Sequence, residues 1–282
     1  MSEPAALDAA LLRAFPLPCL SEEGDKEDRG RALIVGGSAE VPGAALLAGI
    51  AALRAGAGKL QIVTDAAVAT AMGVAVPEAR VSAGSPVPHV CEAQSVTIGC
   101  GMDHGPALDL LLAELLDCGA QVPLILDAAV LGCLPDLAGK VRGWRGGAAL
   151  LPHSREMASL LECEPEEVEI DPLHAARRAA ERYGAIALVK GRFSFVAAPD
   201  GRAFRFEGGG IGLATSGSGD VLAGIVGGLA ARGADPLTAT LWGVWLHGEA
   251  GRILTREVGR VGFLAREVAE LVPGLLNTQS SS

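Results

Sequence analysis

A glycine-rich segment near the carboxyl end of the chain is the part of the sequence best suited to chemistry. Residues 207–220 read EGGGIGLATSGSGD, and an apolar stretch typical of a helix follows directly. Gly217, Ser218 and Gly219 can point successive backbone N–H groups at a bound anion, and the helix dipole adds about half a positive charge at this end. The spacing therefore predicts an anion hole suited to a phosphoryl group in transfer.

Asp220 stands in the first turn of this predicted helix, beside the anion hole. The helix dipole favours an ionised carboxylate there, so Asp220 could take a proton from a substrate hydroxyl as a general base. An ordinary helix-capping aspartate is the alternative interpretation of the same residue. The segment lacks the GKS or GKT of a Walker A motif, and it does not open a βαβ unit as a dinucleotide-binding fingerprint does.

The elements that must position this loop alternate between strand-like and helix-like segments, which is typical of a parallel sheet covered by helices on both faces. A turn at 199–201 predicts a hairpin, about three helices follow residue 218, and residues 162–171 are expected to form a solvated turn. Ser154 is expected to cap its helix. The predicted strands are 31–35, 59–64, 95–98, 123–126, 148–150, 186–189, 192–197 and 202–206, and the earlier helices are 42–55, 106–116, 154–161 and 173–183.

No linker rich in proline, serine or charge divides the chain, so we expect one domain over residues 1–282. Its ordered core is expected at about 24–273, and the polar tail 278–282 is expected to be disordered. Ligands of such sheets bind at the carboxyl ends of the strands, where the glycine-rich loops of this chain also fall.

Composition disfavours several classes of protein. Of 282 residues, 50% are hydrophobic and 4% aromatic, which predicts a large packed core and little disorder. The 23 basic and 33 acidic residues give a net charge of −10, which disfavours nucleic-acid binding. No apolar run reaches the ~18 residues of a membrane span, and the first residues lack the pattern of a signal peptide. The six cysteines form no CxxC pair, so we expect buried free thiols, no zinc site and a cytoplasmic protein.

The ordered set of motifs resembles one known family. GSGD before an Ala- and Gly-rich helix is similar to the signature of ribokinase-like phosphotransferases, and other segments narrow the resemblance to the NAD(P)H-hydrate dehydratases of that superfamily. Each segment is weak alone, whereas their order over nearly the whole chain is specific. The segments are DKEDRGRALIVGGS (25–38), PGAALLAGIAALRAGAGKLQIVT (42–64), PE (77–78), IGCGMD (98–103, for the family's GPGLG), LDAAVL (126–131), LPHSRE (151–156), VKGRFS (189–194) and WLHGEAG (245–251).

The resemblance implies a ribokinase-like three-layer α/β/α sandwich with a mostly parallel central sheet. It implies a repair enzyme that phosphorylates the hydroxyl of hydrated NADH or NADPH (S epimer) at the expense of ADP or ATP, and then eliminates phosphate. Mg²⁺ is expected from the phosphoryl chemistry itself. Members that consist of this domain alone are associated with ADP and are often tetramers, so a homo-oligomer is expected here.

The resemblance also implies roles for individual residues. Asp220 would be the base, and the glycines of the GSGD motif would stabilise the transferring phosphate. The adenine nucleotide would contact Gly219 and the segment Lys190, Gly191, Arg192, Phe193 and Ser194. The hydrated dinucleotide would contact Ala45, Gly101, His153 and Asp220. Asp127 and Glu156 could orient a Mg²⁺-bound water, whereas His247, in an apolar helical run, is interpreted as a packed core histidine.

Four departures from the family pattern leave the identity of the alcohol acceptor less well defined than the phosphoryl-transfer reaction. They are Asp103 for the last glycine of GPGLG, Ala129 for the second aspartate of DAD, Ser154-Arg155 for the Pro-Gly of TPHPGE, and Gly210-Ile211-Gly212 for a stretch with asparagine. A ribokinase-like kinase with another alcohol acceptor, of sugar or hydroxymethylpyrimidine type, is therefore an alternative, as is a non-catalytic nucleotide-binding relic. A Rossmann-type dehydrogenase is a weaker alternative, because GGSAEVPG is not GxGxxG and Asp65 is its only candidate ribose ligand.

Overall fold

A single twisted sheet of ten strands forms the centre of the computed structural model, which describes residues 3–19, 25–26 and 28–280. The strands lie in the order β1-β10-β9-β8-β7-β6-β5-β2-β3-β4. All neighbouring pairs in this sheet are parallel except the two that involve β9. The strands are β1 (Ala5–Ala6), β2 (Arg31–Val35), β3 (Lys59–Thr64), β4 (Ala79–Ala83), β5 (Ser95–Ile98), β6 (Leu124–Leu126), β7 (Ala148–Leu150), β8 (Ile186–Val189), β9 (Phe193–Ala197) and β10 (Ala203–Glu207).

Helices connect the parallel strands and cover both faces of the sheet. Two 3₁₀ helices, Ala128–Leu137 and Ile211–Leu213, add to the α-helices of the described residues. The α-helices are α1 (Ala9–Leu12), α2 (Pro42–Arg54), α3 (Ala69–Ala75), α4 (Val87–Val90), α5 (Pro106–Asp117), α6 (Ala138–Arg142), α7 (Ser154–Leu161), α8 (Pro165–Ile170), α9 (Pro172–Tyr183), α10 (Ser218–Ala231), α11 (Pro236–Glu257) and α12 (Ala265–Ser280).

The sheet separates two apolar cores. On one face it packs against α2, α10, α11 and α12, whose buried side chains are largely Ala, Val and Leu. On the other face it packs against α5, α7 and α9 together with the first 3₁₀ helix. The three-layer α/β/α sandwich with a mostly parallel sheet that the sequence predicted is therefore confirmed.

Backbone-level packing between α2 and α10 sets the position of the glycine-rich loop. A Cβ atom on Gly224 would overlap the carbonyl oxygen of Ala48, and one on Gly228 would overlap that of Ala52. Only glycine permits so close an approach. Because α10 begins at Ser218, this contact places the predicted anion hole beside α2.

Three local predictions differ from the structure. Residues 162–171 contain the short helix α8, because Pro165 stands at its first position and Glu164 and Glu167 form a capping box. His153, not Ser154, caps α7. The tail expected to be disordered from residue 278 is helical through Ser280, since α12 continues to that residue.

Some predicted features fall outside the described residues or stay untested. Gly24, where the ordered core was expected to begin, and residues 281–282 lie outside the described residues. The assignment of residues 1–282 to one domain stays a prediction. Among the helices of the described residues, none combines the length and apolar character needed to cross a bilayer.

Candidate active site

The polar residues singled out by the sequence meet at the carboxyl ends of the central parallel strands. Asp127 directly follows β6, Lys190 directly follows β8, and the turn from Gly99 to Gly101 follows β5. The first turn of α10 with Asp220 points at the same edge, because Gly219 lies against the Lys190 and Asp127 side chains. Ligands of open α/β sheets bind at this edge.

The Gly217-Ser218-Gly219 turn is held by packing. Gly217 has a φ of +85°, and a Cβ atom there would overlap the side chain of Leu47 from α2. The N–H of Ser218 donates to the carbonyl of Thr215 at 3.2 Å, so the expectation that Ser218 offers a free N–H to an anion is wrong. The N–H groups of Gly217 and Gly219 donate to no acceptor within the described parts of the chain. These two N–H groups and the helix dipole are therefore the groups that could hold an anion at the predicted anion hole.

The Asp220 carboxylate lies half-buried beside this anion hole. Burial raises its pKa above the ordinary value of aspartate, and the negative charge of Asp127 raises it further. A hydrogen bond with the Cys100 thiol, the Lys190 charge and a backbone hydrogen bond oppose this rise. A carboxylate with a raised pKa accepts a proton more readily, as a general base requires.

A buried ion pair joins Lys190 and Asp127. Lys190 Nζ lies 2.7 Å from Asp127 Oδ1, and the two side chains are only 19% and 2% exposed. Burial lowers the pKa of Lys190, but the charges of Asp127 and Glu156 outweigh this effect, so the pKa is raised and the ammonium stays charged. Although the pair is neutral overall, it holds the Lys190 ammonium close to Gly219, where a phosphate would bind.

His247 supports the loop from α11. Its Nε2 lies 2.9 Å from Ser218 Oγ and 3.1 Å from the Ser218 carbonyl oxygen. Burial lowers the pKa of His247 to about 4, so the ring is neutral near pH 7. Sequence reasoning interpreted His247 as a packed core residue and missed this contact, which joins residues 29 positions apart.

Cys100, Asp127 and Asp220 form a compact cluster in which one ligand atom from each lies within 4.8 Å of the others. The cluster does not fit a resident Mg²⁺, because a thiol is a soft ligand and one Asp127 oxygen is paired with Lys190. Glu156 Oε2 accepts the backbone N–H of His153 at 2.8 Å, and a role for Glu156 in orienting a Mg²⁺-bound water stays a prediction. These residues are compatible with a Mg²⁺ ion that binds together with the nucleotide, coordinated by its phosphates and by water molecules.

The residues expected at a hydrated dinucleotide lie close to residues of this cluster or to their hydrogen-bond partners. Gly101 has a φ of +64°, and its carbonyl accepts the Ser38 N–H at 2.7 Å. Ala45 is fully buried on α2, with its Cβ packed against the Gly36-Gly37 turn. His153 is the half-exposed cap of α7, and its backbone bridges to that of Lys190. A cleft of about 380 Å³ opens beside this strip, lined among others by Ser38, Asp65 and Asp103.

The segment expected at the nucleotide runs from Lys190 into β9. Gly191 and Arg192 are exposed, and Phe193 and Ser194 are partly buried. The guanidinium of Arg205 lies 4.2 Å from the centroid of the Phe193 ring, and that of Arg192 lies 5.5 Å from it. This surface, continuous with Lys190, combines guanidinium groups with an aromatic ring, although Arg205 also lies 3.7 Å from the Glu207 carboxylate.

Together these groups offer the parts of a phosphoryl transfer from a bound polyphosphate to an alcohol. Asp220 can accept a hydroxyl proton, and the Gly217 and Gly219 N–H groups can hold the phosphoryl oxygens. Lys190 supplies fixed positive charge, balanced in the resting site by Asp127. The arrangement fits in-line transfer, which depends on positioning and charge stabilisation.

Comparison with known proteins points to the same chemistry. The sequence pattern of a family described as NAD(P)H-hydrate dehydratase matches residues 32–273. An ADP-dependent (S)-NAD(P)H-hydrate dehydratase of Xanthomonas campestris is 46% identical over an alignment that covers 95% of this chain and 95% of that protein. A bifunctional NAD(P)H-hydrate repair enzyme of Moorella thermoacetica is 35% identical over 96% of this chain, which spans 53% of that protein.

A solved structure agrees with these relatives. The ADP/ATP-dependent NAD(P)H-hydrate dehydratase of Bacillus subtilis, co-crystallised with ATP and Mg²⁺, superposes with a TM-score of 0.87 at 27% identity. The match covers 99% of this chain and all of that one. The fold, the site at the carboxyl edge of the sheet and these relatives agree, and the chain belongs to the NAD(P)H-hydrate dehydratase family.

Proposed function

We propose that this protein repairs hydrated NADH and NADPH of the S epimer, using ADP as phosphoryl donor. The observation that carries the proposal is the Asp220 carboxylate in the first turn of α10, directly after Gly219, next to which the Lys190 ammonium lies. The relative from Xanthomonas campestris supports the substrate and the nucleotide, since its name specifies both.

In the first step the hydrate hydroxyl attacks the terminal phosphorus of the nucleotide. Asp220 takes the hydroxyl proton as the new O–P bond forms, and the bond to the leaving phosphate of the nucleotide breaks. ADP thereby becomes AMP, and the hydrate becomes a phosphate ester. The Gly217 and Gly219 N–H groups and Lys190 stabilise the negative charge on the transferring group.

In the second step the phosphate ester loses phosphate. The nitrogen of the reduced ring lies next to the carbon that bears the leaving group, so its lone pair expels phosphate. Loss of a proton from the neighbouring carbon then restores the double bond. The net reaction converts hydrate and ADP into the dinucleotide, AMP and inorganic phosphate, and the protein acts mainly in the first step.

The binding assignments extend this proposal. Support for nucleotide binding by residues 190–194 comes from their positive, aromatic surface next to Gly219. Support for contacts of the hydrate with Gly101 and His153 comes from their places next to Cys100 and Lys190, whereas the assignment of Ala45, which is fully buried, rests on the resemblance alone. Mg²⁺ enters with the nucleotide phosphates, since the described residues offer no hard-ligand cage of their own.

The test follows the reduced nicotinamide absorbance of hydrated NADH mixed with the protein, Mg²⁺ and either ADP or ATP. A nucleotide-dependent rise is expected, larger with ADP. Asp220→Asn keeps the size and shape of the side chain but removes the carboxylate that acts as the base, so the rate should fall at least about 100-fold. Cys163→Ala, on the loop between α7 and α8, serves as the matched control and should keep its rate.

Two results would overturn the proposal. Nucleotide binding without a rise in absorbance, together with phosphorylation of another alcohol, would identify a kinase with a different acceptor. Binding without phosphate release from any acceptor or water would identify a non-catalytic nucleotide-binding protein. An undiminished rate in Asp220→Asn would remove that carboxylate from the role of base.

We further infer a homo-oligomer, with a tetramer as the expected form, and a cytoplasmic location. The oligomer is supported by exposed apolar side chains around the loop before α12, namely Ile211, Val258, Val261 and Leu264. The location is supported by the six cysteines, which are all free thiols.

A further inference from the structure

The cleft of about 380 Å³ and the segment proposed to bind the nucleotide lie on opposite sides of the Cys100–Asp127–Asp220 cluster. Along the sheet the strands run in the order β9-β8-β7-β6-β5-β2-β3. The proposed nucleotide segment joins β8 to β9, Cys100 and Asp127 follow β5 and β6, and the cleft lies where β2 and β3 end. A substrate that reacts at Asp220, with its phosphoryl donor on the β8–β9 side, can therefore extend over β2 and β3.

Hydrogen bonds connect the walls of this cleft to the cluster. The Gly37 N–H donates to the Cys100 carbonyl oxygen at 2.8 Å, and the Ser38 N–H donates to that of Gly101 at 2.7 Å. The Gly37 carbonyl oxygen in turn accepts the N–H of Asp65 at 3.2 Å. The turns that follow β2, β3 and β5 thus form one connected framework. Neighbouring strands are about 4.8 Å apart, so the cleft lies only one or two strand spacings from β5.

The lining of the cleft is largely apolar, and the only ionisable side chains among the described residues that line it are Asp65 and Asp103. Apolar side chains can pack against an uncharged aromatic base, and carboxylates accept hydrogen bonds from hydroxyl groups. An aromatic base and a ribose with two hydroxyl groups make up the adenosine end of a dinucleotide. The apolar side chains are those of Val35, Val63, Met102, Ala107, Leu108 and Leu111.

Asp65 directly follows β3, the second strand of the parallel unit formed by β2, α2 and β3. In dinucleotide-binding folds an acidic residue beyond the glycine-rich turn hydrogen-bonds the ribose 2′-hydroxyl, whereas an arginine accommodates a 2′-phosphate. Oδ1 of Asp65 accepts the N–H of Ala67 at 2.8 Å, which fixes the side chain and leaves Oδ2 for a ligand. The side chain is exposed at the cleft.

Asp103 adds a second negative charge, at a position where the family pattern GPGLG has glycine. Its carboxylate is exposed and has no hydrogen-bond or ion-pair partner in the described part of the chain. The amino end of α5, with Ala107 and Leu108 in the cleft, opposes this charge by only about half a unit, and Asp109 lies in the same first turn. The cleft is therefore negative overall, whereas a 2′-phosphate carries a charge of about −2.

We propose that this cleft binds the adenosine end of the hydrated dinucleotide, and that Asp65 and Asp103 make the protein select hydrated NADH over hydrated NADPH. The placement rests on the function proposed above, because it starts from a hydrate whose hydroxyl is held at Asp220. The 2′- and 3′-hydroxyl groups of the NADH hydrate can donate to the two carboxylates. The 2′-phosphate of the NADPH hydrate is repelled by both.

Binding of the reduced dinucleotides tests the selection without turnover. NADH and NADPH are titrated by their fluorescence in the presence of saturating AMP, which occupies the nucleotide segment. NADH should bind the wild type at least about tenfold more tightly than NADPH. Asp65→Asn and Asp103→Asn should each lower this ratio about threefold, since asparagine keeps the size and, at position 65, the acceptor for Ala67. A wild-type ratio near one, or a ratio unchanged in both variants, would overturn the proposal.

Glu78→Gln provides the matched control. Glu78 is exposed, precedes β4 at the opposite end of the sheet and does not line the cleft, but its substitution removes the same unit of charge. The ratio of the two affinities should stay at the wild-type value. A fall as large as that in the aspartate variants would assign the effect to net charge and overturn the roles of Asp65 and Asp103. Melting curves identify any variant that fails to fold.

The repair assay separates this proposal from the proposed function. With the two hydrates as substrates, the preference for hydrated NADH should appear in KM, with kcat nearly equal, because the adenosine end lies away from the reacting atoms. Repair of both hydrates with equal kcat/KM would support the function and overturn the selection. Preferential binding of NADH without repair of either hydrate would overturn the function and support the assignment of the cleft.

Discussion

Two aspartates of the site, Asp127 and Asp220, have the same side chain and different roles because their surroundings differ. Asp127 is almost fully buried and paired with Lys190, so it anchors a positive charge. Asp220 has no lysine or arginine of its own among the described residues, and its raised pKa suits proton transfer. Removal of Lys190 alone would leave Asp127 buried and uncompensated, which typically costs about 3–5 kcal/mol of stability.

His247 gives the protein a pH-dependent stability that can be measured. Its pKa is about 4 in the folded protein, because burial disfavours its charged form, against about 6.5 in an unfolded chain. Between these values the unfolded chain binds more protons, so stability falls as the pH drops from 6.5 towards 4. From pH 7.5 to pH 5 we expect this residue to account for a loss of about 2 kcal/mol.

The measurement compares urea unfolding of the wild type and His247→Gln at the two pH values. Glutamine cannot titrate, so the variant should lose about 2 kcal/mol less on acidification, whatever its stability at pH 7.5. The other titrating groups, Asp220 included, act in both proteins and cancel in the comparison. Parallel pH dependences would show that His247 does not titrate as described.

For single residues, the sequence predicted which side chains belong to the site but not which of them contact one another. Gly219 and Asp220 were recognised because their spacing before an apolar helix has a chemical meaning of its own. The Lys190–Asp127 pair joins residues 63 positions apart, and the His247–Ser218 contact joins residues 29 apart. No local pattern encodes such pairs. Cys100 was interpreted as a small buried apolar residue, since nothing around it in the sequence indicates that Asp220 lies alongside.

Among the contacts between elements, the packing of α2 against α10 determines where the glycine-rich loop of the site lies. Gly224→Ala would place a methyl group on the Ala48 carbonyl oxygen and push the helices apart. We expect a loss of about 1–3 kcal/mol in the free energy of unfolding, despite the better helix propensity of alanine. The rate of the proposed reaction should also fall, because the first turn of α10 moves with the helix.

Gly274→Ala in α12 is the matched control for this prediction. A Cβ atom there meets nothing within 4 Å, so the same change should be neutral or stabilise by up to about 1 kcal/mol. Chemical unfolding and the absorbance assay measure both variants. Equal stabilities of the two would contradict the role given to Gly224.

The pattern of elements was largely predictable, because hydrophobic period and glycine or proline boundaries are local signals. The strands β2, β3, β5, β6, β7 and β8 and the hairpin of β9 and β10 were predicted close to their bounds, whereas β1 and β4 were not predicted. Helix α8 was missed because its acidic composition resembles that of a solvated turn, and only Val168 is buried. The order of strands in the sheet depends on distant pairings and could be expected only as a parallel arrangement.

At the scale of the whole molecule, several apolar side chains around the loop before α12 are exposed to solvent in a single chain. Ile211, Val258, Val261 and Leu264 are each about half or more exposed. If they are covered by another copy, sedimentation should give a multiple of the chain mass, and Val261→Asp should shift it towards one chain. Val74→Asp, at a valine on α3 that is more exposed than Val261, is the control. A single-chain mass at all concentrations would exclude the oligomer.

The net charge of −10 opposes the approach of anionic ligands to this molecule as a whole. Lys190 and the amino end of α10 act against that field only over short distances, because the screening length is about 8 Å at physiological salt. Attraction is therefore confined to the carboxyl edge of the sheet. Anions that do not fit the site gain little elsewhere on the surface.

The close packing of Gly217 against Leu47 affects how the protein recognises its ligands. A Cβ atom on Gly217 would also lie 3.3 Å from the Cβ atom of Ala265, so the turn packs against both α2 and α12. It cannot close over a ligand without disturbing the core, unlike the mobile lids of many phosphoryl-transfer enzymes. The anion hole is thus preformed, and discrimination between nucleotides depends on fit to a rigid cradle rather than on induced closure.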